Sequence, residues 1–378
     1  MRPVILIPTG RLALLPLHAA RLPDGTYFLD HFTVTYVPSA TALAEARRRA
    51  AAAAGPLRLF GVGNPLPSVD GLRDLHRQLR EAAATLPSDP STASLRAELQ
   101  KLLACPTEEL RHEGFLLRRL ILRLPERLGE PLKRLVELGE RWPLSLRYAR
   151  AELQSVVDLL PQGAAVPLYE EEAAHDAVLS GLAGATLLHF SCHGSFRPDE
   201  PLESALHLAD KDLTLRETMA PEFAALDAAR LAVLSACQTA IADFRNLPEE
   251  AIGLPAGFLQ AGVPVVLGTL WPVDDPSAAL LMTRFYEYLF QEREPPARAL
   301  RRAQRWLRDL TNAELEGYLA RHQEIAEARR QAARRMPLVM IEELLLQAIT
   351  TEDPDARPYA RPYYWAPFVL LGAGEVVL

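Results

Sequence analysis

The sequence predicts an α/β protein, a mostly parallel sheet flanked by helices and interrupted by a helical insertion. Three observations carry that reading. Short apolar runs closed by Gly, Pro or Asn alternate with stretches that place leucines at helical spacing, the grammar of a parallel sheet with crossover helices. Several runs, "LLHFSCHG" and "LAVLSACQTA" among them, are apolar almost throughout, as strands covered on both faces are. The chain has 378 residues, 49% of them hydrophobic, enough to bury one large core.

The elements follow in order. "VILIPTGRLALLPL" reads as a strand, a Pro8-Thr9-Gly10 turn and a second β run ending at Pro16. Phe32 to Val37 reads as a strand, with Ser39 or Thr41 as cap of the helix behind it. "LRLFGVGNP" is a strand closed by glycines, Asn64 and Pro65. Over 66–142 the pattern changes to leucines at helical spacing between charges of both signs. Two readings stand for this insertion: amphipathic helices packed on the core, or a partner-binding module.

"LRYARAELQSVVDLL" is then a helix, "AAVPLYEEEA" a strand, and "GATLLHFSCHG" the next strand. "SALHLADKDLTLRETMAPEF" reads as a polar loop before the strand "ARLAVLSACQTA". "GLPAGFLQAG" is a helix, "VPVVLGTLWPVDD" a strand and "PSAALLMTRFYEYLF" an amphipathic helix. A second charged helical excursion spans 306–347, and "RPYYWAPFVLLGAG" supplies an aromatic-rich last strand. No internal repeat or low-complexity linker divides the chain, so 1–378 reads as one elaborated domain.

Composition narrows the function. A net charge of −7 argues against a nucleic-acid groove or an anionic membrane as main partner. No run approaches the ~18 apolar residues of a span, and the N-terminus lacks the marks of a signal peptide. The expectation is a soluble, cytoplasmic protein with no cofactor. Three cysteines, Cys105, Cys192 and Cys237, are too few and too scattered for a disulfide framework.

Two strands end in reactive residues, one at His193 and one at Cys237. In open α/β sheets sites gather beyond the carboxyl ends of strands. If these strands are parallel neighbours, the two residues converge, although 44 positions separate them. A Cys–His pair is a minimal nucleophilic engine, in which the imidazole helps form the thiolate and later protonates the leaving amine. The N–H groups of Gly194 and Cys237 are candidates for an oxyanion hole. Cys192 points to the opposite face from its neighbour His193 and reads as a small buried hydrophobe. Cys105, before Pro106, is expected to be inert.

Other constellations fare worse. His189, Cys192, His193 and His207 lie close in sequence, yet His189 and His193 are about 13 Å apart at strand rise, too far for one zinc. No metal site is therefore expected. His189, mid-strand, reads as a hydrogen-bonded core histidine. No GxxxxGK[ST] or GxGxxG stands between a strand and a helix, so nucleotide binding has no support. Trp271, Tyr363, Tyr364 and Trp365 read as packing at the sheet edge and a cleft wall.

The chain resembles the CHAT domain, a caspase-like family related to separases and often attached to tetratricopeptide repeats. The resemblance runs through "LIPTGRLALLPL", "VTYVPSATAL", "GVGNP", "LLHFSCHGSF", "LAVLSACQTA", "GLPAGFLQAGVPVVLGTLWPVDD" and "RPYYWAPFVL", in order along nearly the whole chain. It implies a bacterial, caspase-like cysteine endopeptidase with His193 and Cys237 as catalytic dyad, acting on a protein or peptide substrate and open to a regulatory protein. No repeat helices are seen ahead of Met1, so the usual module is expected to be absent or cut off; the insertion is longer than the family carries there, and activation by a partner or an upstream module is the open element. The alternative is a catalytically silent caspase-like scaffold that binds protein partners. By comparison with separases, which cut after arginine, the stretch "LWPVDD" is expected to border the cleft. Trp271, Asp274 and Asp275 are then substrate-binding candidates, with Asp274 facing the pocket and Asp275 capping the helix.

Overall fold

The computed structural model describes residues 2–53, 55–84, 93–104, 106, 145–146, 148–197, 200–220, 226–236, 253–334 and 353–376. The strands are β1 (Arg2–Leu6), β2 (Phe32–Tyr36), β3 (Leu59–Gly63), β4 (Ala165–Tyr169), β5 (Leu187–Ser191), β6 (Gly194–Ser195), β7 (Ala205–Leu206), β8 (Leu213–Thr214), β9 (Leu231–Ser235), β10 (Val265–Thr269) and β11 (Phe368–Gly372). Among the described residues they form an eight-stranded sheet, ordered β1-β2-β11-β10-β9-β5-β3-β4, and a small sheet, β6-β7-β8. Strands β10, β9, β5, β3 and β4 run parallel to one another. Strand β11 pairs antiparallel with β10 and parallel with β2, so β1, β2 and β11 run the other way. The carboxyl ends of the five parallel strands thus share one rim, where β11 begins.

The longer helices are α1 (Ala40–Ala52), α2 (Val69–Ala84), α3 (Ala93–Leu103), α4 (Ala149–Val157), α5 (His175–Leu182), α6 (Leu254–Gln260), α7 (Asp275–Phe290), α8 (Pro296–Asp309), α9 (Asn312–Leu319) and α10 (Gln323–Arg334). Helices α2 and α3 fall within the expected insertion. Ser39 caps α1, its hydroxyl accepting from the Ala42 N–H, one of the two caps the sequence offers.

Alternation along β5 separates two cores. On one face Leu187 joins Leu231, Val233 and Leu267 with Leu153 of α4, Phe285 of α7 and Leu300 of α8. On the other, Leu188, Phe190 and Cys192 join Ala232, Leu234 and Val266 with Val178 of α5 and Phe258 of α6. Both faces are covered, which is why these strands are apolar at nearly every position. Helix α4 lies so close to β3 that a Cβ added at Gly61 would sit 2.3 Å from Leu153 Cδ1. The two edge strands, β1 and β4, carry Pro3 and Pro167, tolerated where no further strand needs an N–H.

Three expectations need correction. The run after Pro8-Thr9-Gly10 is a 3-10 turn over Gly10–Leu14, because its glycine enters the left-handed region (φ 54°) and turns the chain before a strand can extend. The polar loop after β6 contains the hairpin β7–β8, whose two-residue strands are too short to show an apolar period. The second charged excursion begins as helix at Pro296, ahead of the expected residue 306, since a proline suits a helix's first turn. Among the described residues no helix is long and apolar enough to cross a membrane.

Candidate active site

Strand β5 is buried at every residue and ends at Ser191. Cys192 follows at 1% exposure, on the face of Leu188 and Phe190, as a small buried hydrophobe. The chain then leaves the core. His193 is half-buried, and Gly194 opens the small sheet opposite Leu206.

The ladder fixes how these residues are presented. The His207 N–H donates to the His193 carbonyl at 2.9 Å. In an antiparallel pair, hydrogen-bonded and non-hydrogen-bonded positions alternate. The Gly194–Leu206 pair is therefore the non-bonded kind, and the Gly194 N–H points away from β7, available to a ligand on its other side. One residue further, His207 Nδ1 lies 2.8 Å from Asp212 Oδ1. That carboxylate accepts from an Nδ1–H and holds the ring beside the start of β6. Sequence reading weighed His207 only as a zinc ligand; a His–Asp pair across the connection of two two-residue strands gives no local signal.

Strand β9 lies beside β5 and parallel to it. Leu187 stands opposite Leu231 and Ser191 opposite Ser235, a constant offset of 44 residues. Ser235 and Ala236 are buried. Cys237, like Cys105, lies outside the described residues. On the far side of β9, the Thr269 hydroxyl at the end of β10 donates to the Ala236 carbonyl.

Beyond β10, the Trp271 indole N–H donates to the Tyr363 carbonyl at 3.1 Å, tying the rim to the segment that leads into β11. Trp365 is core, fully buried and edge-on to Tyr27 at 5.1 Å. The helix cap expected at Asp275 falls on Asp274 instead. Asp274 is the N-cap of α7, accepting from the Ser277 N–H at 3.1 Å. Helix α7 starts at Asp275, so the last extended residue, which a cap must be, is Asp274 (φ −73°, ψ 121°). Burial raises the Asp274 carboxyl above its usual value, against the pull of the Ser277 bonds. Asp275 instead accepts the Tyr148 N–H at 3.1 Å, joining α7 to the entry of α4.

His189 occupies the sheet interior with no exposure. Its Nδ1 lies 3.2 Å from the Tyr286 hydroxyl and its Nε2 3.1 Å from Glu152 Oε1, a carboxylate only 1% exposed. The Glu152 contact lacks hydrogen-bond alignment. His189 and His193 thus serve different places. Among the described residues no group of three or more His, Cys, Asp or Glu is placed to hold a metal ion. A cavity of about 770 Å³ lies between α9 and α10, lined by Glu316, Leu319, Gln323, Ala326 and Arg329, with no residue from the ends of β5 or β9. The strand ends, with their imidazole and directed amide, are the candidate site.

Comparison with known proteins identifies the family. Comparison with curated proteins gave no match. Among solved structures, the complex of Porphyromonas gingivalis RgpB pro- and mature domains is similar over 85% of this chain and 79% of that chain, at 10% identity and a TM-score of 0.35. The model of the CHAT domain matches residues 1–373. The chain belongs to the CHAT-domain family, a family of caspase-like peptidases.

Proposed function

We propose that the chain is a cysteine endopeptidase with Cys237 as nucleophile and His193 as general base and acid. One observation carries the reading: the 44-residue offset of the β5–β9 register equals the sequence separation of His193 and Cys237. Ser191 and Ser235 end their strands side by side, and His193 and Cys237 each follow that end by two positions in sequence, which supports a dyad at this rim. The imidazole takes the thiol proton, and the thiolate attacks the scissile carbonyl carbon. The oxyanion is met by the Gly194 N–H, which its own ladder leaves outward, and by the Cys237 N–H. The imidazolium then protonates the leaving amine, leaving a thioester. Water attacks that thioester, giving its proton to the imidazole, and releases the acid and the thiol.

Trp271 and Asp275 are proposed to border the substrate, since Asp274 is committed to the helix cap. A carboxylate there suits a basic side chain before the cut, a charge-assisted contact worth roughly 1.5–3 kcal/mol. The insertion at 66–142 is proposed to receive a regulatory protein, because α2 and α3 stand between β3 and β4 in the chain and, among the described residues, the insertion adds no strand to the sheet.

The test is an activity-based peptidyl acyloxymethyl ketone with a basic residue at its reactive end. Covalent labelling should map to Cys237, vanish in Cys237→Ala and persist in Cys192→Ala. Labelling that survives Cys237→Ala, or that only Cys192→Ala abolishes, would exclude the dyad.

A further inference from the structure

We infer that Thr269 is a positioning residue for the nucleophile, setting the direction of the oxyanion-binding amide by gripping the peptide that precedes Cys237. The inference rests on the Cys237–His193 reading and deepens it. Thr269 is the last residue of β10 and has no exposure. Strand β10 pairs with β9 through Val266–Ala232 and Leu267–Val233, which brings Thr269 level with Ser235, one residue short of Ala236. From there its hydroxyl donates to the Ala236 carbonyl, itself on a residue 1% exposed.

Satisfying a carbonyl beyond the last ladder position is already useful, because a buried orphan acceptor is costly. The consequence for chemistry comes from the peptide unit. A trans peptide is planar, so holding its oxygen also fixes the line along which the N–H at its other end points. That N–H belongs to Cys237. A donor on the carbonyl further polarises the unit and strengthens the N–H as a donor in its turn. A buried threonine, stiff at χ1, is better suited to hold such a plane than a mobile side chain. Valine would keep the shape and lose the grip; serine would keep the hydroxyl.

The test uses the full chain and two probes that read different things. The aldehyde acetyl-Leu-Leu-argininal forms a thiohemiacetal with the nucleophile, whose oxygen calls on the oxyanion donors. Iodoacetamide alkylation of Cys237, followed by peptide mapping, reads the thiolate without them. Deleting an oxyanion donor costs ~10²–10³-fold, and loosening one should cost less, so Thr269→Val should weaken the aldehyde about 10-fold. The iodoacetamide rate should hold within about 2-fold, and Thr269→Ser should restore aldehyde affinity to within about 3-fold of wild type, since it keeps the donor. Aldehyde affinity lost in Cys237→Ala but unchanged in Thr269→Val would overturn the Thr269 role alone. So would a parallel fall of both probes and of the melting temperature that serine does not rescue, the mark of a purely structural residue. An aldehyde that binds Cys237→Ala as tightly as wild type would overturn the dyad, and the Thr269 role with it.

Discussion

His189 and His193 stand four residues apart on one run of chain, and their surroundings have little in common. His189 sits inside the sheet with no exposure, between a buried carboxylate on α4 and a buried tyrosine on α7. His193 lies past the strand's end, half-buried, with its carbonyl taken by the hairpin. The first imidazole ties two helices of one face to the central strand. The second is placed where a strand stops and a ligand can approach. Under the proposed function, position relative to the strand end, rather than residue type, separates the structural histidine from the chemical one.

That contrast can be broken most directly by exchanging which histidine is lost. His193→Gln should lower peptide turnover by about 10²–10⁴-fold, the usual worth of a general acid–base, while the melting temperature stays near wild type. His189→Ala should do the reverse. It leaves Glu152 and Tyr286 buried without their partner, at a cost of about 1–3 kcal/mol in urea unfolding. Equal destabilisation by the two variants would erase the distinction.

A third histidine sharpens it through pH. His18 is buried beside Tyr36, and burial lowers its pKa to about 4. The Gln304 amide faces its Nε2 at 3.2 Å, so the neutral ring accepts there and a second proton would meet a donor. A pKa depressed on folding gives stability that is whole above the unfolded value of about 6.5 and is lost as pH falls toward 4. The loss should reach roughly 3 kcal/mol at pH 4, and His18→Gln should flatten that part of the slope. Denaturant midpoints at pH 7, 5 and 4 for both proteins measure it.

The smallest expected effect concerns the two aspartates. Asp274→Ala should cost about 1 kcal/mol as a lost cap, while Asp274→Asn, itself a good cap, should cost a few tenths. Neither Asp274 variant should move the preference for a basic residue as far as Asp275→Asn does. A peptide-library profile that moves more with Asp274→Asn would return the pocket to Asp274.

Much of the fold was legible in the residues. The apolar runs at Leu59, Leu187, Leu231 and Val265 became the central strands because covering on both faces leaves an unmistakable composition. The strand-end location of His193 and Gly194 followed from the same runs. Strand direction was not legible: nothing in "FVLLG" says that β11 opposes β10. The hairpin that turns the Gly194 N–H outward hides in a polar stretch because its strands are two residues long. Glu152 reads as a polar helix position until α4 is laid across β5, and then it meets His189 at 3.1 Å. Asn64 announced only a turn. In the fold it takes a left-handed backbone (φ 53°), donates its N–H to the Ser191 carbonyl and accepts the Leu146 N–H at 2.7 Å, clipping the end of β5 to the entry of α4. Long-range partners of this kind leave no trace in local spacing.

The central claim is that the imidazole at the end of β5 serves the thiol of Cys237. The pH dependence of iodoacetamide alkylation at Cys237, mapped by mass spectrometry in wild type and in His193→Gln, tests it most directly. The account predicts that the wild-type thiol reacts with an apparent pKa well below the ~8.5 of a free cysteine, and that the curve moves toward ~8.5 once His193 is replaced. Superimposable curves for the two proteins would contradict it.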